Sequence, residues 1–171
     1  ICESPRIGIG NKPIDDGNYL FSEEEMKLFV EKEPQSQKWF RPWLGAREFI
    51  NRIPKFCLWL GDCPPNELRK MPECMKRVDA VKQFRLASTS AGTIKLAETP
   101  TRFHVENMPK DNYILVPCHS SENRKYIPMG YVDEECVVPN SAFMINNAPL
   151  SLFAVLTSIM HMLWVKTVCG K

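Results

Sequence analysis

The chain has 171 residues, 44% of them hydrophobic and 25% charged, and a formal net charge of +2. That is the balance of a soluble globular chain, one domain in length and able to bury a sizeable core. Fourteen prolines exclude a simple helical bundle and predict several short elements joined by stiff turns. Seven cysteines have no repeated spacing and no CxxC, and the histidines (His104, His119, His161) are scattered, so no metal site is expected. Free, mostly buried thiols in a reducing cytoplasm fit better. The sequence starts Ile1-Cys2-Glu3 without a signal peptide and reads as a piece excised from something longer.

Residues 1–21 read as extended and turn-rich, with Asp15-Asp16-Gly17-Asn18 as a turn signature. Ser22 and Glu25 form a capping box for a helix carrying Met26, Phe29 and Val30 on one side, ended by Pro34. Trp39, Phe40 and Trp43 cluster around Arg41-Pro42. They suit core packing, and exposed beside Arg41 they would suit base stacking or a protein-interaction anchor. Lys55–Leu60 is a strong strand. Pro64-Pro65 starts a helix.

Helical patterning then runs to about Ala87 with a break near Pro72. Met75, Val78, Val81 (or Lys82) and Phe84 give its apolar side, and Arg69, Lys70, Lys76, Arg77, Lys82 and Arg85 a cationic remainder. Residues 69–125 hold eleven Lys/Arg against six Asp/Glu. A basic middle third suits a phosphate-backbone partner, and it also suits a solvated helix face. Ser88–Thr93 is a small-residue loop leading into a short helical stretch that ends near Thr99-Pro100. Its hydroxyls and amides suit donation to phosphates, or it is a connector.

Thr101–Val105, Tyr113–Pro117, Tyr126–Val132 and Ala142–Ile145 read as strands, with a turn at Val132–Glu135. A C-terminal helix is expected over Pro149–Cys169, with Leu150, Phe153, Leu156 (or Thr157), Met160 and Trp164 as its buried stripe and Gly170 as its C-cap. The apolar run Leu150–Val165 is shorter than the ~20 residues of a membrane span. The fold class expected is α+β, a mixed or antiparallel sheet with flanking helices and a long C-terminal helix, in a single domain over 1–171.

Between two of those strands lies Ser120-Ser121-Glu122-Asn123-Arg124-Lys125. It holds hydroxyls, a carboxylate, an amide and two cations and no large apolar side chain. A polar loop on a rigid hairpin presents hydrogen-bonding groups well, and Arg and Glu both read base edges. A solvated hairpin tip has the same composition.

Catalytic patterns are lacking. There is no Gly-rich phosphate loop and no nucleophile elbow. Cys118 and His119, the one pairing that would suggest a thiol enzyme, are strand neighbours and would point to opposite faces. Asp62-Cys63-Pro64-Pro65-Asn66 departs from the (Asp/Asn/Ser)-Pro-Pro-(Tyr/Phe) box of amino-methyltransferases, because Cys63 intrudes and Asn66 replaces the stacking aromatic.

Six segments occur in one order: Gly10–Asn18, Phe49-Ile50-Asn51, Cys57–Leu60, Phe84-Arg85-Leu86-Ala87-Ser88, Ser120–Pro128 and Leu156–Trp164. Together they resemble the target recognition domain of MmeI-like (type IIL, a branch of type IIG) restriction-modification enzymes and related adenine-N6 DNA methyltransferases. The resemblance runs from about Pro5 to Lys171. It implies a bacterial or phage-derived parent whose methyltransferase domain binds S-adenosylmethionine and flips an adenine out of the duplex. The cofactor would lie in that domain and not here. This piece would clamp double-stranded DNA and carry no catalytic residue.

The same resemblance implies DNA contacts from two regions, Ser88–Lys95 and Ser120–Lys125. Glu122 and Arg124 would read base edges. Ser88, Ser90, Thr93, Lys95, Ser120, Ser121 and Lys125 would supply backbone or further base contacts. The implied partners are double-stranded DNA and the methyltransferase domain of the same chain, with no membrane. A protein-interaction module anchored on Trp39, Phe40 and Trp43 is the alternative.

Overall fold

The computed structural model describes residues 4–121 and 123–169. Glu122 and Gly170, expected as a base reader and a C-cap, lie outside the described residues.

In chain order the elements are β1 (Ile7–Ile9), β2 (Leu20–Ser22), α1 (Glu23–Lys32), a 3-10 segment (Pro34–Trp39), β3 (Phe40–Pro42), α2 (Ala46–Asn51) and β4 (Lys55–Leu58). Then come α3 (Pro65–Leu68), α4 (Pro72–Leu86), α5 (Ala91–Lys95), a 3-10 turn (Leu96–Glu98), β5 (Tyr113–Pro117), β6 (Gly130–Val132), β7 (Ala142–Ile145), α6 (Leu150–Leu156) and α7 (Ile159–Val168). The strands form two antiparallel sheets, ordered β1-β7-β5-β6 and β2-β4-β3. The fold is α+β, as expected.

Local chemistry sets the element ends. Asp15 folds the first turn: its carboxylate accepts the Tyr19 N–H at 2.7 Å and its carbonyl accepts the Asn18 N–H at 3.0 Å. Gly17 takes a φ of 74°, where glycine costs least. The capping box on α1 is reciprocal, with Ser22 Oγ accepting from the Glu25 N–H and Glu25 accepting from the Ser22 N–H. Helix α4 has no side-chain cap from its own N-cap, Met71. The buried Glu33 carboxylate instead accepts the N–H groups of Glu73 and Cys74, each at 2.9 Å, and satisfies two orphan donors from outside the helix.

Each sheet has its own core. Tyr19, Phe21, Phe29, Trp43, Leu58, Leu60, Met71, Val78, Val81 and Phe103 pack around the three-stranded sheet. Tyr113, Leu115, Val132, Val138, Ala142 and Met144 pack on the four-stranded one. Val137 belongs to the first cluster and Val138 to the second. Successive side chains of extended backbone point to opposite sides, so this pair joins the two cores. Gly10 runs so close to the Val138 and Pro139 carbonyls that a Cβ there would collide with them.

Four expectations are corrected. Thr101–Val105 is not a strand: only Val105 bridges, to Lys12. Phe103 turns into the core and its N–H is taken by the Glu106 carboxylate at 3.0 Å, which curls the segment away from extended pairing. The strand drawn over Tyr126–Val132 shrinks to Gly130–Val132, because Pro128 has no N–H and the Ile127 N–H faces Met162 Sδ at 3.4 Å.

On α4 the buried side is Cys74, Val78, Val81 and Arg85. Phe84, placed on the apolar side, is 39% exposed, while Arg85, placed among the solvated cations, is fully buried. The stripe therefore turns one position toward Arg85, whose donors are all paired inside. At the C-terminus two helices stand in place of one, bent by 52° at Thr157-Ser158. The Ser158 hydroxyl accepts the His161 N–H and restarts the helix. The restart shifts the phase, so Met162 is buried while Met160 (75%) and Trp164 (59%) are exposed, and Leu150, in the first helix, is exposed as well (72%). Among the described residues no single helix is long and apolar enough to cross a membrane, although α6 and α7 together, as a bent pair, reach that length and composition.

Candidate nucleic-acid interface

The connector from β5 to β6 leaves the four-stranded sheet where Pro117 pairs with Ala142. Cys118 makes the last link back, donating its N–H to the Ser141 carbonyl at 3.3 Å. Beyond it, Ser121 builds a turn: its hydroxyl accepts the Asn123 N–H at 3.3 Å and its carbonyl accepts the Arg124 N–H at 3.0 Å. This is the local side-chain competition with regular structure that favours serine in turns. Ser120, Ser121 and Lys125 are exposed and Arg124 is half-buried. Lys125 Nζ lies 5.4 Å from the centre of the Tyr126 ring. The connector re-enters the fold at Ile127, against Met162 of α7.

The second group sits at the corner between α4 and α5. The Ser88 N–H donates to the Arg85 carbonyl at 3.3 Å, and the Ser90 N–H donates to Ser88 Oγ at 3.2 Å. Ser90 is the N-cap of α5, yet its hydroxyl makes no cap hydrogen bond. Ser90 and Lys95 are exposed, and Ser88 and Thr93 are half-buried.

Each group is thus gathered on its own element corner. Among the described residues no hydrogen bond runs directly from one group to the other. A chain of contacts links them through residues 11–14. The Arg85 guanidinium holds the Pro13 and Ile14 carbonyls. Two residues earlier, the Asn11 carbonyl accepts the Asn140 N–H at 2.8 Å, and the Asn140 carbonyl faces Cys118 Sγ at 3.9 Å. Asn11 is fully buried: its amide donates to the Val138 and Asn107 carbonyls and accepts the Asn107 N–H at 2.6 Å.

Part of the cationic surface is already engaged. Lys76 pairs with Glu73 at 2.6 Å, and Arg77 lies 5.0 Å above the Phe21 ring. Arg69, Lys70 and Lys82 are exposed and make no ion pair among the described residues.

The other chemistries find less support. Trp43 is 6% exposed, Phe40 packs edge-on to Phe21 and Phe29, and the Trp39 indole N–H donates to Glu67. These rings belong to the core, and no interaction anchor stands there. Burial pushes the Cys118 thiol up, which disfavours the nucleophilic thiolate. His161 is satisfied locally through Nδ1 and the Leu156 carbonyl. Asp62 accepts the Trp59 indole N–H at 3.2 Å. Among the described residues no cluster of His, Cys, Asp and Glu is arranged to hold a metal.

A surface depression is lined in part by Lys38, Asn66, Glu67 and Lys70. Within it, Glu67 Oε1 accepts from both Lys38 Nζ and the Trp39 indole N–H.

The description "MmeI, target recognition domain" matches residues 1–171. The chain belongs to the MmeI target recognition domain family. A solved structure of the type IIL restriction-modification enzyme MmeI in complex with DNA superposes with a TM-score of 0.94 at 40% identity, covering 99% of this chain and 23% of that one. DNA methyltransferase A of Bacillus subtilis (strain 168) is 37% identical over 171 residues, which is 100% of this chain and 20% of that protein. The chain therefore spans about a fifth of the length of the curated relative it matches.

Three supporting residues were missed by sequence reasoning: Asn11, Arg85 and Met162. Arg85 left one signal, a cation one position off the apolar stripe in Phe84-Arg85-Leu86. Asn11 and Met162 left none, since their partners lie far away in the sequence.

Proposed function

We propose that this chain reads double-stranded DNA sequence-specifically, as the recognition domain of a longer adenine-N6 DNA methyltransferase of restriction-modification type. The observation that carries this reading is the near-superposition on MmeI in its DNA complex. The two polar corners agree with it. Ser88, Ser90, Thr93 and Lys95 supply one set of contacts, and Ser120, Ser121, Glu122, Arg124 and Lys125 the other. Arg124 and Glu122 read base edges in the major groove, and the hydroxyls and lysines hold phosphates. Affinity comes largely from counterion release along the basic middle third.

The division of labour follows. The 171 residues form one recognition domain, and the rest of the parent chain binds S-adenosylmethionine and transfers the methyl group in the cytoplasm. A longer chain would also cover the apolar side chains that α6 and α7 leave exposed.

The test is duplex binding by fluorescence anisotropy over a salt series. Binding that falls steeply with salt, and that Arg124→Ala and Lys125→Ala both weaken, supports the reading. Absent or salt-insensitive binding at low salt contradicts it.

A further inference from the structure

Arg85 is the largest fully buried side chain among the described residues. Its partners are five backbone carbonyls. Nε donates to Ile14 at 2.9 Å; Nη1 to Leu96 at 2.8 Å and Thr99 at 3.1 Å; Nη2 to Pro13 at 2.9 Å and Arg102 at 2.8 Å. A guanidinium has five N–H donors in a fixed fork, and all five are used. Burial pulls the Arg85 pKa down, and Tyr19 and Asp15 oppose that shift.

The placement of those carbonyls matters more than their number. Arg85 stands three positions before Ser88. Leu96 is the residue after Lys95, and Thr99 and Arg102 follow shortly. The guanidinium thus closes the excursion Ser88–Lys95 from both ends. Its other two bonds fasten that closed loop to Pro13-Ile14, where Ile14 holds a φ of 52°. From there the path runs through Lys12, whose carbonyl accepts the His104 N–H at 2.8 Å, and Asn11 to Asn140 and Cys118. Cys118 lies two residues before Ser120.

We infer that Arg85 is a positioning residue for DNA reading: one buried guanidinium sets the Ser88–Lys95 corner in register with the Ser120–Lys125 connector. This rests on the DNA-recognition reading above. Lysine cannot replace it, because three donors on one nitrogen do not reach three separate peptide segments. An arginine that merely stabilised the core would alter melting and leave each folded molecule binding as before. A positioning arginine alters what the folded molecule binds.

The experiment is a double-mutant cycle on the full chain, read by anisotropy on a random-sequence duplex at low salt, well below melting and corrected for the folded fraction. Lys95→Ala alone weakens binding about threefold, and Arg85→Lys alone about tenfold. In the Arg85→Lys background Lys95→Ala has no further effect, because the displaced corner no longer touches DNA. Losses that multiply, or folded Arg85→Lys that binds like the parent, overturn the inference.

If Arg85→Lys does not fold, Tyr19→Phe takes its place. It removes the 2.7 Å bond from the Tyr19 hydroxyl to the Pro100 carbonyl, next to Thr99, without stranding a charge. The same non-multiplying pattern with Lys95→Ala is expected, and multiplication again overturns the inference. If Arg124→Ala weakens binding and Lys95→Ala does not, the positioning role falls while the connector's role in DNA reading stands. If the parent chain does not bind duplex at all, both fall.

Discussion

The backbone N–H of Ile127 faces Sδ of Met162 at 3.4 Å, so the proposed recognition connector is seated on α7. Met162 is 3% exposed, while its helix neighbours Met160 and Leu163 are mostly exposed. Met162→Ala is expected to cost about 2–5 kcal/mol, the usual range for emptying a buried methionine site. The loss is read by urea denaturation. Amide exchange should quicken at Ile127 and Tyr126 before it does in β5.

Asn11 spans two distant segments, accepting the Asn107 N–H and donating to the Val138 carbonyl. Asn11→Ala takes the side-chain partner from both the Asn107 N–H and the Asn107 carbonyl, while the Val138 carbonyl keeps the Asn11 backbone N–H, at a cost of about 1–3 kcal/mol. Calorimetry should show a melting temperature several degrees lower. An unchanged melting temperature would mean that the pairing contributes nothing net.

The salt dependence of DNA binding separates contact residues from bystanders. Lys125→Ala should lower the slope of log affinity against log salt by about 1, while Arg124→Ala should relax the preference among base sequences. Lys27→Ala, which removes a cation paired with Glu23 on α1, should leave the slope unchanged.

Hydrogen bonds from Ser22 hold the Glu25 carboxyl below its ordinary value. A group whose folded pKa is depressed stabilises the fold above its unfolded pKa, and that contribution is lost as the pH falls through the folded value. The parent should therefore lose stability in the acid range more steeply than Glu25→Gln, which cannot titrate. Melting temperatures across that range for both proteins check the sign.

Burial raises the Cys118 thiol, and the deeply buried Cys57 thiol is raised further. At neutral pH a short maleimide pulse should label the exposed Cys169 first, Cys118 slowly and Cys57 not at all, as peptide mass spectrometry would show. Rapid labelling of Cys118 would revive the thiol-enzyme reading.

Much of the fold is legible where one short-range rule decides. The Ser22–Glu25 box, the Asp15 turn, the Pro65 helix start and the strands Tyr113–Pro117 and Ala142–Ile145 all follow from local chemistry. The misreadings come where a distant partner wins. Arg85 looks like a surface cation until the five carbonyls from three other segments are in place. Tyr126–Val132 has the composition of a strand, yet Met162 takes the Ile127 N–H and Pro128 has none to give. The Pro149–Cys169 run is apolar on most of its circumference, so its pattern does not select a buried stripe, and the Ser158 cap rotates the second half. For the candidate site, composition pointed to the two polar corners. The scaffold that relates them rests on Asn11 and Arg85.

The most direct test of the central claim is site-specific crosslinking to duplex DNA. A photoreactive group is placed at Ser90, at Ser121 and, as a control on α1, at the exposed Glu31. Crosslinks from Ser90 and Ser121, competed by unlabelled duplex and absent from Glu31, are the predicted result. Crosslinks from neither corner, with the protein folded and bound, would contradict the account.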